Sequence, residues 1–145
     1  MGIEKTDVLI IGAGPAGCIA VSILHKNGLH VRVVAKTKVP RFVIGESLLP
    51  RVMDHLDEAG LLEEVTKGNF QKKFGAKFVL NDKVCDFNFE DQYTNGWKWT
   101  WQAPRAEFDQ LLANGVQKKN IPLTFETAVT SIQFNEDESS ITTIE

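Results

Sequence analysis

The spacing of apolar residues changes several times along the chain, and each change marks an element. Asp7-Val8-Leu9-Ile10-Ile11 is an unbroken, β-branched apolar run of the sort found in a strand buried on both faces. Gly12-Ala13-Gly14-Pro15-Ala16-Gly17 follows at once. Ala16, Ile19, Ala20, Ile23 and Leu24 then recur at three- and four-residue intervals, which predicts a helix ending near Asn27-Gly28. Val31-Arg32-Val33-Val34 reads as a second strand. Strand, glycine turn, helix and strand in this order predict a βαβ unit, which requires a parallel sheet and a right-handed crossover.

Residues 36–50 form a loop rich in Lys, Pro and Gly. Val52, Leu56 and Ala59 mark one side of a helix that begins near Pro50 and stops at Gly60, and Leu61, Leu62 and Val65 extend its apolar face. Ala76, Phe78 and Leu80 alternate before Asn81-Asp82, and Cys85, Phe87 and Phe89 alternate after it, which predicts an antiparallel hairpin. Trp97, Trp99 and Trp101 repeat with a period of two, placing three indoles on one face of a further strand. Phe108, Leu111, Leu112 and Val116 mark a helix after Pro104. Two short strands follow around 123–134, then a polar turn over 135–140, and Ile141–Ile144 starts another strand. The expected architecture is α/β: a Rossmann-like βαβ with an antiparallel hairpin and additional short strands.

Composition narrows the function classes. The chain has 145 residues, 43% of them hydrophobic, with 16 Lys and Arg against 19 Asp and Glu, for a net charge of −3. That suits a globular domain and argues against a nucleic-acid binder resting on bulk charge. No apolar run approaches the roughly 20 residues of a membrane span. Cys18 and Cys85 form neither a disulfide framework nor a metal spacing, which suits a reducing cytoplasm. His25, His30 and His55 show no ligand spacing, and no metal site is expected.

Gly12-x-Gly14-x-x-Gly17 gains force from its place after a strand and at the opening of a helix. The first glycine permits the tight turn, the second lets backbone approach a pyrophosphate, and the third lets helix and strand pack closely. The helix N-terminus then offers unpaired N–H groups to phosphate, and Pro15 in the first turn sacrifices no helical bond. A dinucleotide fold usually carries an acidic residue at the end of its second strand for the ribose hydroxyls. Here that position is Ala35, followed by Lys36, Thr37 and Lys38. Three readings stay open: a lost sugar contact, a 2′-phosphate site at Lys36 or Lys38, or a disabled site.

Residues 40–50, Pro-Arg-Phe-Val-Ile-Gly-Glu-Ser-Leu-Leu-Pro, are more specific. With the glycine turn they resemble the flavin-dependent halogenases and their relatives among the p-hydroxybenzoate hydroxylase-like FAD-dependent monooxygenases. Lys73-Phe74-Gly75-Ala76-Lys77-Phe78 is similar to that family's Lys-x-Gly-Ala-x-Phe segment. Pro104-Arg105-Ala106-Glu107-Phe108-Asp109 is similar to its Pro-Arg-x-x-Phe-Asp at a helix start. The four matches occur in the family's order and cover residues 7 to about 112.

The resemblance implies FAD as cofactor, with its phosphates over Gly12, Gly14, Pro15, Ala16 and Gly17. It implies Ala35 and Lys36 beside the nucleotide, Arg41 and Arg105 against the cofactor, Glu46 and Ser47 near the isoalloxazine ring, and backbone around Val129 at the adenine. The loop's excess of Lys36, Lys38, Arg41 and Arg51 over Glu46 suits an anionic partner in a chain of net negative charge. The implied activity is that of an FAD-dependent oxidoreductase: flavin monooxygenase chemistry through a C4a-hydroperoxide, with halogenation of an electron-rich substrate as its leading form. Lys73 is the implied catalytic residue, since an ammonium donates hydrogen bonds and becomes a nucleophilic amine when its pKa falls. The alternatives are a dehydrogenase or reductase of the same superfamily, and a nucleotide-binding fragment without turnover. The implied partners are a small-molecule substrate, aromatic or carrier-tethered, and a separate flavin reductase. The tryptophan stripe reads either as a wall of an aromatic pocket or as sheet packing. Residues 1–145 read as a single N-terminal FAD-binding region, with residues 70–101 as antiparallel strands inserted toward the substrate side. The family's enzymes are much longer, so the chain is expected to be the first third of one and inactive alone.

Overall fold

In the computed structural model, residues 3–136 and 139–145 are described. Strand β1 (Val8–Ile11) leads through the glycine turn into helix α1 (Pro15–Lys26), which returns to β2 (Val31–Val34). Helices α2 (Arg51–Glu58) and α3 (Leu62–Thr66) follow the loop, and then come β3 (Gln71–Lys73), β4 (Gly75–Leu80) and β5 (Lys83–Asn88). After a 3₁₀ turn at Phe89–Asp91 come β6 (Thr100–Gln102), α4 (Arg105–Lys118), β7 (Leu123–Thr124), β8 (Val129–Phe134) and β9 (Ser140–Ile144). No helix among the described residues is long and apolar enough to cross a membrane.

The βαβ expectation holds. β1, β2 and β7 form a parallel sheet in the order β1-β2-β7, so the glycine turn emerges at the carboxyl end of an outer strand. This corrects the expectation of a first strand buried on both faces. Among the described residues β1 pairs with β2 alone, Val8, Leu9 and Ile10 are half-buried, and Ile11 is exposed. The central strand β2 carries the buried run instead, with Val31, Val33 and Val34 in the core.

The core lies where α1, α2, α3 and α4 pack together and onto this sheet. Cys18 and Val21 of α1, Met53 and Leu56 of α2, Val65 of α3, and Phe108, Leu112 and Val116 of α4 are all fully buried. Apolar burial at this density dominates the stabilisation of the fold.

Three two-stranded ribbons surround this body. β3 and β6 pair antiparallel, with Lys73 opposite Thr100 and Lys72 opposite Trp101. β4 and β5 form the expected hairpin, in register from Gly75↔Asn88 to Leu80↔Lys83, with Asn81 at φ 52° in the two-residue turn. β8 and β9 form a third ribbon around the polar turn, whose Asp137 and Glu138 lie outside the described residues. The tryptophans depart from expectation in one respect: Trp101 alone lies within a strand. Trp97, Trp99 and Trp101 still share a face through edge-to-face contacts, with ring centroids 5.3 and 5.5 Å apart. Trp101 continues onto Phe70 at 6.2 Å, all three rings pack on the core, and all three also line one cavity with Phe70 and Lys72.

Candidate functional site

The site is built around the turn between β1 and α1. Gly12 has φ +108°, a conformation that strains any side chain, and its N–H donates to Val34 O at 2.8 Å, tying the turn to β2. A Cβ at Gly17 would overlap the Gly12 carbonyl oxygen, so the third glycine brings helix and turn together. Gly14 caps α1 without any side-chain hydrogen bond, leaving the helix N-terminus open. Among the described residues, the one neighbour within 4 Å of a Gly14 Cβ would be Arg41 Nη2, at 4.0 Å. The loop therefore folds back and sets a guanidinium beside the glycine turn.

Arg105, the first residue of α4, faces the loop at Ile44 and Gly45 and shares a partner with Arg41. Its Nε and Nη2 donate to the two carboxylate oxygens of Asp109 at 2.9 and 3.2 Å, and its Nη1 donates to Ile44 O at 3.1 Å. Asp109 is fully buried one helical turn along and also lies 3.8 Å from Arg41 Nη2. One carboxylate thus gathers two guanidiniums, and the cluster keeps an excess positive charge beside a helix N-terminus. Asp109 also acts on Cys18. Burial first, and then that negative charge, push the Cys18 thiol from its ordinary 9.0 up to about 12. Its Sγ contacts Ala13 O at 3.5 Å, and it is a neutral packing group.

The segment after Gly45 runs beside β6. Glu46 O accepts from Ala103 N at 2.9 Å, Ser47 bridges Gln102, and Leu48 N donates to Trp101 O at 3.2 Å. Lys73 flanks β6 from the other side. Its Nζ donates to Ser47 Oγ at 2.6 Å and to Leu48 O at 3.0 Å, and it lies 5.2 Å from the Phe89 ring centroid. Lys72 projects to the tryptophan face, 4.3 Å from the Trp99 ring centroid. The two adjacent lysines therefore serve opposite faces, and only Lys73 joins the Glu46-Ser47 segment.

Ala35 follows the last residue of β2 with both backbone groups engaged: its N–H donates to Thr124 O at 2.9 Å and its carbonyl accepts from Thr127 N at 3.0 Å. Its methyl is buried and supplies no acceptor, while Lys36 and Lys38 are exposed. Val129 opens β8, two residues beyond the Thr127 contact. Arg51 is exposed and pairs with Asp54. Sequence reasoning assigned both arginines a role against the cofactor and named Asp109 only as the end of the Pro-Arg-x-x-Phe-Asp segment, although its i,i+4 spacing from Arg105 on a largely apolar helix face was a signal of pairing.

An open helix N-terminus, a glycine turn backed by a guanidinium and a second arginine together suit a phosphate-bearing cofactor. Comparison with known proteins decides which one: the sequence matches the FAD binding domain family over residues 5–144. The chain belongs to that family. A flavin-dependent halogenase from Armillaria mellea, armH5, is 36% identical over 92% of this chain and 25% of its own length. A 1H-pyrrole-2-carbonyl-[peptidyl-carrier protein] chlorinase from Pseudomonas fluorescens is 45% identical over 73% of this chain and 28% of its own. The crystal structure of a flavoprotein/dehydrogenase from Cytophaga hutchinsonii superposes with a TM-score of 0.90 at 56% identity, covering 98% of this chain and 35% of that one. The FAD binding domain described here therefore spans about a quarter of the length of the curated relatives it matches first. The cofactor is FAD, and the fold is that of the flavin-dependent halogenase and monooxygenase superfamily. FAD carries no 2′-phosphate, so Lys36 and Lys38 have none to read.

Proposed function

We propose that this FAD binding domain belongs to a cytoplasmic flavin monooxygenase that halogenates an electron-rich small molecule, aromatic or tethered to a carrier. In this reading a separate flavin reductase supplies the reduced cofactor, and FAD, once bound and reduced, provides the electrons that activate O₂. Gly12, Gly14, Pro15, Ala16 and Gly17 receive the pyrophosphate at the N-terminus of α1, and Arg41 and Arg105 neutralise it. Ala35, Lys36 and the backbone near Val129 border the adenosine. Glu46 and Ser47 flank the flavin ring, and residues 70–101 face the substrate side.

Lys73 carries the reading. Its ammonium is anchored by Ser47 Oγ and Leu48 O, so it stands at the flavin-facing segment with one N–H donor left over. A lysine held in this way can hydrogen-bond an oxidised halogen species and direct it to an electron-rich carbon. The family likeness to halogenases supports this role, and so does the β3–β6 pairing that sets Lys73 opposite Thr100. The test supplies FADH₂, O₂ and chloride or bromide with an electron-rich aromatic substrate to the intact protein. Lys73→Ala should abolish halogenated product while FADH₂ oxidation continues. Unchanged product formation would remove Lys73 from the chemistry.

One observation favours a second reading, a dehydrogenase or reductase of the same superfamily: the 56% identical neighbour is described as a flavoprotein/dehydrogenase. The same assay separates the two. A reductase consumes reduced flavin or substrate without incorporating halide.

A further inference from the structure

Asp109 is fully buried behind two guanidiniums: Arg41, whose Nη2 stands beside Gly14 of the glycine turn, and Arg105, whose Nη1 stands beside Gly45 of the loop that follows β2. Resting on the reading in which Arg41 and Arg105 hold the FAD phosphates, we infer that Asp109 is the positioning residue of the phosphate site. A fully buried carboxylate does not touch a ligand in the turn, so it acts through the arginines. It takes Nε and Nη2 of Arg105 in a forked pair at 2.9 and 3.2 Å, which fixes the guanidinium plane. With that plane fixed, Nη1 reaches Ile44 O at 3.1 Å and holds the backbone before Gly45. From the same oxygen that accepts Arg105 Nη2, Arg41 Nη2 is 3.8 Å away. Two guanidiniums gathered at one carboxylate oxygen repel each other, and Arg41 beside Gly14 also meets the positive end of the α1 dipole. A single carboxylate placed behind them offsets that repulsion before the cofactor arrives and leaves one net positive charge for the phosphates.

The position of Asp109 also separates this role from plain packing. It lies on α4 among Phe108, Leu112 and Ala113, an apolar set that would accept a neutral residue were the charge without purpose. The substitution that isolates the charge is Asp109→Asn, which keeps volume and one acceptor.

The test measures FAD affinity of the intact apoprotein by flavin fluorescence, together with its thermal midpoint. Asp109→Asn should raise the Kd for FAD by roughly tenfold or more, comparable to other losses of a supporting carboxylate. In an Arg41→Gln/Arg105→Gln background the same substitution should add nothing, because the groups it orients are gone. Should Asp109→Asn fail to yield folded protein, Asp109→Glu keeps the charge but displaces it by one methylene, and it should weaken FAD binding by the same mechanism. The inference is overturned if Asp109→Asn, or Asp109→Glu in its place, leaves the Kd unchanged while Arg41→Gln raises it. It is overturned equally if Asp109→Asn weakens binding as much without the arginines as with them. Arginine substitutions that leave FAD affinity intact would refute the phosphate-site reading itself.

Discussion

Gly14 and Gly17 stand three residues apart, and substitution separates their roles. Gly14 has φ −80° and ψ −177°, which any residue adopts, and among the described residues a Cβ there meets only Arg41 Nη2 at 4.0 Å. Gly14→Ala should leave the thermal midpoint within a degree or two of the parent yet weaken FAD binding, because the methyl stands where phosphate must approach the backbone. Gly17→Ala should destabilise the fold by about 1–3 kcal/mol, since its Cβ would overlap the Gly12 carbonyl. Thermal melts of the two apoproteins distinguish a binding glycine from a packing one. Cys18 supplies a pH dependence. Its thiol is raised from 9.0 to about 12 in the folded state, so its contribution is complete below pH 9 and is lost as pH rises toward 12. Stability should fall over that window, and less so in Cys18→Ala. Thiol labelling of the native chain at pH 8 should modify the exposed Cys85 and spare Cys18.

Elements owe their arrangement to close approaches that local propensity opposes. Gly115 sits inside α4, where glycine costs about 1 kcal/mol relative to alanine. A Cβ at that position would lie 2.6 Å from Leu61 Cδ2, and Leu61 is fully buried. Gly115→Ala should therefore lower the thermal midpoint, although helix propensity alone would raise it. The pattern of apolar positions located α1, α4, the hairpin and the β8–β9 ribbon closely, because amphipathic helices and two-residue turns are local structures. It did not reveal that residues 46–48 run beside β6. That contact depends on backbone hydrogen bonds between Glu46 and Ala103 and between Leu48 and Trp101, residues more than fifty apart in sequence. Nor did the period-two tryptophans require a strand throughout, since ring-to-ring contact kept Trp97 and Trp99 in line without one.

At the scale of the molecule, stability is uneven. Val33 and Val34, Phe108 and Leu112 are fully buried where sheet and helices meet. Among the described residues the β4–β5 hairpin pairs only with itself, and it exposes Phe78, Val79, Leu80 and Val84. Hydrogen exchange in the 145-residue chain should therefore be slowest for the amides of β2 and α4 and much faster for those of residues 75–88. Equal protection in both regions would contradict this division. The alternating apolar pattern of the hairpin reads as half-buried from sequence, and here both faces meet solvent, because alternation records a capacity for burial and not its fulfilment.

Residue order alone carries the chemistry available and its local frame. The glycine spacing after a β-branched run required a phosphate-approachable turn, and residues 40–50, 73–78 and 104–109 pointed to a flavin family on residue identity alone. These signals are local, so short stretches of chain carry them whole. Which charges meet depends on the folded chain. Arg41 and Arg105 are 64 positions apart and converge because both reach Asp109, while Lys73 turns to Ser47 and its neighbour Lys72 turns away to Trp99. Which face of a short ribbon a lysine serves, and which carboxylate lies buried behind two arginines, depend on pairing across long loops. Such pairing follows from the packing of the whole core and is written in no single segment.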